Sequence, residues 1–116
     1  MGNNTIKTAL GLTENIEAFL CYIFGWLTGV IFLILERENS FVRFHAMQSL
    51  TTFLSLFIIS MIAGSIPILG WILTILITPT SVILWLFLMY KAYRGEKYKL
   101  PIIGIWAEQQ INKYPI

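Results

Sequence analysis

The sequence predicts an all-α fold, a transmembrane helical bundle of three spans with short N-terminal and C-terminal interfacial segments. Two observations predict it. Of 116 residues, 57% are hydrophobic and 12% charged, against a charged share of about 25% in soluble domains. A soluble domain this small buries only roughly 60–65% of its unfolded surface and needs far more polar residues to cover the rest. The charges are also clustered: none falls between Ala18 and Leu35, or between Phe44 and Tyr90. The same composition excludes a disordered chain, and a single cysteine, Cys21, excludes a disulfide scaffold. One domain accounts for residues 1–116.

The first charge-free run, extended back to Ile16, matches the roughly 20 helical residues that cross a bilayer core about 30 Å thick. Thr13 suits its N-cap, and Glu14 and Glu17 suit the positive end of the helix dipole. Acids before the run and bulky Phe32-Leu33-Ile34-Leu35 at its end mark a retained span rather than a signal peptide. The second run is 47 residues long. As one helix it would measure about 70 Å, more than twice the bilayer core, so it folds back. Ile66-Pro67-Ile68-Leu69-Gly70 is the expected turn, because Pro67 donates no backbone hydrogen bond and Gly70 tolerates positive φ. The spans are therefore expected at about 16–35, 46–66 and 69–90, and as helices, because lipid offers backbone groups no partner. Ser40 is the expected cap of the second helix. The short 36–40 loop makes the first two helices antiparallel neighbours.

After Tyr90 the chain turns basic and aromatic through Pro101. These bases suit anionic lipid headgroups, at roughly 1 kcal/mol each near the surface. Pro101 suits the first position of a short interfacial helix over 102–113, and residues 5–12 form a second candidate interfacial segment. With three spans, Arg37, Arg43, Lys91, Arg94, Lys97, Lys99 and Lys113 lie on one side and Lys7 alone on the other. Bases near span ends favour the cytoplasm. The expectation is a cell-membrane protein with its N-terminus outside and its basic tail, 91–116, inside.

Within the spans, Gly25-Trp26-Leu27-Thr28-Gly29 is a GxxxG pair. It allows close backbone approach, serving either internal packing or contact between copies. Pro79, flanked by Thr78, Thr80 and Ser81, is expected to kink the third span; a hinge or broken-helix site is the functional alternative. Hydroxyl and small residues on the second span suit helix packing or, alternatively, a polar conduit. No charge lies deep in a span, which disfavours an ion or proton path. Glu36, Glu38, Arg43, His45 and Gln48 form a candidate polar cluster at the cytoplasmic rim. It reads as a structural network closing that end, or as a gate or docking point. One histidine with two glutamates is too few donors for zinc. HExxH, GxSxG, P-loop and Cys–His patterns are absent from the sequence, so neither enzyme activity nor a cofactor is expected. No nucleic-acid motif accompanies the basic stretch.

Phe41-Val42-Arg43-Phe44-His45-Ala46-Met47-Gln48 resembles the F-V-x-F-H-A-x-Q segment of a family of small prokaryotic membrane proteins. That family is itself similar to the Tic-twenty-type component of the chloroplast inner-envelope import machinery. Lys91-Ala92-Tyr93-Arg94-Gly95-Glu96-Lys97-Tyr98-Lys99-Leu100-Pro101 resembles the same family's K-A-x-x-G-E-x-Y-x-x-P ending. The likeness covers roughly residues 12–108. It implies a compact helical bundle of three or four spans and, through the plastid relatives, a part in protein translocation. The motif positions it marks are His45, Gln48, Gly95, Glu96, Tyr98 and Pro101. Because both pieces fall on one side, Glu96 or Tyr98 is expected to hydrogen-bond His45 or Arg43. The expectation is a non-enzymatic membrane component of translocation or assembly, working as a homo-oligomer or with a larger membrane partner. The alternative is a small oligomeric channel or carrier.

Overall fold

The computed structural model describes residues 11 and 13–113. Five helices follow in order: α1 Glu14–Leu20, α2 Trp26–Leu35, α3 Ser40–Gly64, α4 Leu69–Tyr93 and α5 Ile103–Lys113. The helical class is as expected, and the described residues form no strand.

Two helices, α3 and α4, are long and apolar enough to cross a membrane, not three. The first run is broken. Residues 21–25 close through three-residue turns, Tyr22 N–H to Phe19 O, Ile23 N–H to Leu20 O and Gly25 N–H to Tyr22 O. Gly25 then takes φ +62°, ψ −133°, a conformation that side chains disfavour and glycine accepts. The carbonyls freed by the break find donors. Ser49 Oγ lies 2.8 Å from both Cys21 O and Gly25 O, and Thr28 Oγ1 lies 2.9 Å from Cys21 O. Trp85 Nε1 donates to Tyr22 O.

The break reverses the chain. Glu14 Oε1 at the start of α1 accepts from Asn39 Nδ2 at 3.1 Å, and Asn15 Nδ2 donates to Tyr93 O at 2.8 Å. The start of α1, the 36–39 loop and the end of α4 therefore lie together at one end of the bundle, here called the base. This corrects the expectation that the N-terminal side and the 36–45 loop occupy opposite ends. A three-span count makes the chain emerge opposite to where it entered, and a helical hairpin returns it. The candidate interfacial segment 5–12 falls, save for Gly11, outside the described residues.

α2 and α3 run antiparallel with their backbones in near contact. A Cβ on Gly29 would stand 2.7 Å from Ala46 O and 2.9 Å from Leu50 N. Gly29→Ala is expected to cost about 1–3 kcal/mol by pushing two backbones apart, read as a lower melting temperature in detergent.

Asn39, one residue before the expected cap, starts α3, its Oδ1 accepting from Val42 N–H at 3.0 Å. The α3–α4 turn falls at 65–68 as expected, but for a different reason at Gly70. Ile68 takes the positive φ, +65°, while Gly70 is helical. Its missing side chain admits Ala63 O, which would lie 1.7 Å from a Cβ there. α4 runs on through Pro79, with Thr80 Oγ1 hydrogen-bonded to Leu76 O at 2.8 Å. The core sits at the base, where Ala18, Cys21, Tyr22, Val42, Ala46, Leu88 and Ala92 are all fully buried. α5 packs on α3 through Ala107 and Ile111 against Phe44.

Candidate functional site

The site is a clasp at the base, where the first turns of α3 hold the segment joining α4 to α5. α4 ends in a Schellman motif. Gly95, at φ +79°, donates to Ala92 O, and Glu96 N–H donates to Lys91 O, both at 3.0 Å. This turn sends residues 96–100 across α3. His45 Nε2 meets Glu96 O at 3.1 Å. Gln48 Nε2 donates to Tyr98 O at 3.0 Å, and Gln48 Oε1 accepts from Leu100 N–H at 2.9 Å. Residues 96, 98 and 100 share one edge of an extended chain, so His45 and Gln48 take the place of a neighbouring strand. Gly104 lets α5 press onto the clasp: a Cβ there would stand 2.7 Å from Gln48 Oε1.

Tyr22, from the break between α1 and α2, completes the network. Its hydroxyl is 2.8 Å from His45 Nδ1 and 3.0 Å from Gln48 Nε2. The proton order follows from the partners. A carbonyl only accepts, so His45 Nε2 carries the hydrogen. Nδ1 of a neutral imidazole then accepts, and Tyr22 donates to it while accepting from Gln48. Tyr22, His45 and Gln48 are fully buried, and every polar atom of the three has a partner, as burial demands.

The expected cluster thus divides. His45 and Gln48 bind the 96–100 segment, but through the backbone carbonyls of Glu96 and Tyr98 rather than their side chains. The Glu96 carboxylate instead pairs with Lys91 at 3.0 Å and Arg94 at 3.5 Å, and the Tyr98 ring stands edge-on to Phe87. Arg43 reaches neither. Its Nη1 lies 3.1 Å from both Leu33 O and Glu36 O, satisfying the last carbonyls of α2. Glu36 is buried and accepts from Asn39 N–H at 3.3 Å. Gly29 faces α3, Gly25 forms the break, and Pro79 lies on an exposed stretch of α4 away from the clasp. Sequence reasoning passed over Tyr22, Asn39 and Trp85. A hydroxyl-bearing ring and an indole N–H inside apolar runs were the available signals.

A basic rim surrounds the clasp. Glu108 receives Lys97 and Lys99, each at 2.8 Å, and these hydrogen bonds hold its carboxyl down at about 2. The Lys91 hydrogen bond lowers Glu96 as well. Two acids here face four bases, which leaves the rim positive. Lys91 also lies over Phe87 and Lys97 over Phe44. Because Glu108 is depressed, its contribution is present above the ordinary carboxylate pKa of about 4.3. It is lost as the pH falls through about 2. Acidification across that window is expected to loosen α5 from the 96–100 segment, followed as rising hydrogen exchange in 103–113. Raised salt is expected to do part of the same at neutral pH.

Among the described residues, no group of three or more histidine, cysteine or acidic side chains is placed to hold a metal ion. A groove of about 310 Å³ lies beyond the hairpin tip, lined by Trp26, Phe53, Phe57, Ser60, Thr78 and Ser81 among others.

Comparison with known proteins places the chain among membrane proteins. The family described as the magnetosome magnetite crystal formation protein family matches residues 6–107, which takes in both halves of the clasp. The chain belongs to this family. Its relatives include two UPF0132 membrane proteins of Methanocaldococcus jannaschii. One is 55% identical over 89% of this chain and 93% of its own length. The other is 52% identical over 91% of this chain and 76% of its own. A UPF0132 membrane protein of Archaeoglobus fulgidus is 42% identical over 87% and 98%. No solved structure matches. The chain is thus a member of an archaeal membrane protein family, and its two long apolar helices accord with that.

Proposed function

We propose that the chain is a non-enzymatic, multi-pass component of the cell membrane that acts by assembly. It binds anionic lipid headgroups at its basic end and associates with further copies or a larger membrane partner. In this reading α3 and α4 cross the bilayer, while α1 and α2 enter and leave through one leaflet. The rim of bases supports a cytoplasmic position for the base of the bundle, with both described chain ends.

The observation that carries this reading is where the clasp spends its polar groups. Tyr22, His45 and Gln48 bond to backbone and to one another, whereas a catalytic or transport site needs such groups directed at a substrate. What faces outward is Arg94, Lys97 and Lys99, with Tyr90, Tyr93, Tyr98 and Trp106 also exposed. This pairing suits a headgroup layer. The family description concerns a mineral. In this chain Glu96 and Glu108 are each held by two bases, which favours a lipid-facing rim over a mineral-facing one.

Native mass spectrometry from mild detergent tests the proposal. Retained phosphatidylglycerol, together with complexes larger than one chain, supports it. Retention should fall in Arg94→Gln/Lys97→Gln, which keeps the Lys91–Glu96 and Lys99–Glu108 pairs. A lone chain that holds phosphatidylcholine equally well overturns it. A second reading, a small channel or carrier, draws support from Ser60, Thr78 and Ser81 lining one groove. Solute flux in liposomes, blocked by Ser81→Phe, is its test. Polypeptide translocation rests on the plastid resemblance alone, and crosslinking to a nascent chain tests that.

A further inference from the structure

The chain is not equally thick along its length. From Val42 to Thr52, α3 is largely buried, wrapped by α1, α2, α4 and α5. From Ile58 through the turn to Phe87, only Ala63 and Gly70 are buried, and these two pack on each other. The change comes at the hairpin tip. Gly25 lies against Phe53, and the Trp26 ring lies against Phe57. The stretch of α3 beyond Phe53, residues 54–64, is about 16 Å long, close to half of a bilayer core of about 30 Å. On the topology proposed above, on which this inference rests, the hairpin fills one leaflet and stops near the midplane.

We infer that the chain is a one-leaflet wedge that senses and promotes membrane curvature, with its basic face on the convex side. A helix about 10 Å across displaces roughly 80 Å² of membrane plane. α1 and α2 therefore add about 160 Å² to one leaflet and nothing to the other. α5, seated at the rim with Ile102, Ile105 and Trp106 exposed, adds to the same side. Extra area in one leaflet is relieved when that leaflet is on the outside of a bend. The ligand is the bilayer itself, recognised by the loose headgroup packing of a convex surface.

The experiment reconstitutes the full chain at low density into vesicles from about 400 to about 50 nm across, made of phosphatidylcholine with phosphatidylglycerol or of phosphatidylcholine alone. Protein per unit of lipid is read on single vesicles. Sidedness is read with an impermeant maleimide on Thr13→Cys and Glu38→Cys, each in a Cys21→Ala background. The expected result is a several-fold higher density in the smallest vesicles in both lipids, with both cysteines labelled from outside. A density independent of size, with both cysteines on one face, overturns the wedge and leaves the topology standing. Size dependence only with phosphatidylglycerol assigns the effect to charge and also overturns the wedge. Cysteines on opposite faces overturn the topology and the inference with it.

Discussion

Gln48→Leu is expected to destabilise the chain by about 3–5 kcal/mol in detergent, at nearly constant side-chain volume. The substitution leaves Leu100 N–H and Tyr98 O, both Gln48 partners, without that hydrogen bond. It also removes the donor to the buried Tyr22 hydroxyl. Each stranded polar group costs about 1–3 kcal/mol, and nearby α5 leaves little room for water. Gln48→Glu keeps the length but does not rescue, because a carboxylate oxygen then faces the Tyr98 carbonyl. Thermal melts measure the loss, and exchange of the Leu100 amide locates it. A Gln48→Leu melt within about 1 kcal/mol of the parent would mean that the clasp does not hold the base together.

Gly70→Ala is expected to be at least as damaging, about 3 kcal/mol or more, although it adds a single methyl. The new Cβ would fall 1.7 Å from Ala63 O, so the α3–α4 turn must open, and backbone does not yield as a flexible side chain does. Gly64, six residues earlier, is the contrast. A Cβ there meets nothing within 4 Å, and Gly64→Ala is expected to stabilise by up to about 1 kcal/mol through helix propensity. The opposite signs separate close approach from a general dislike of alanine near the turn, and the same detergent melts read both.

Much of the fold could be read from where charge is missing. The 47-residue run had to fold back, and Pro67 marked the place. The first run misled because its length fits a span, while the residue that breaks it, Gly25, looks the same whether it packs or turns. The sign of φ at a glycine is set by tertiary contacts, here the Ser49 and Thr28 hydroxyls on carbonyls of the break. That His45 and Gln48 lie beside the Gly95–Pro101 segment was legible. The atoms were not: the contacts run to the carbonyls of Glu96 and Tyr98, which any residue supplies. The side chains of Glu96 and Tyr98 work elsewhere, and Arg43 serves the end of α2.

The reversal of the first charge-free run is the central claim, since the base, the clasp and the wedge all depend on it. Its most direct test is crosslinking of Glu14→Cys to Asn39→Cys, in a Cys21→Ala background, by a short bis-maleimide in native membranes. These side chains touch at 3.1 Å, so an efficient crosslink within one chain is predicted. A continuous first span would hold the two positions a membrane thickness apart, about 30 Å. No intrachain product, with each cysteine labelled singly, would contradict the account.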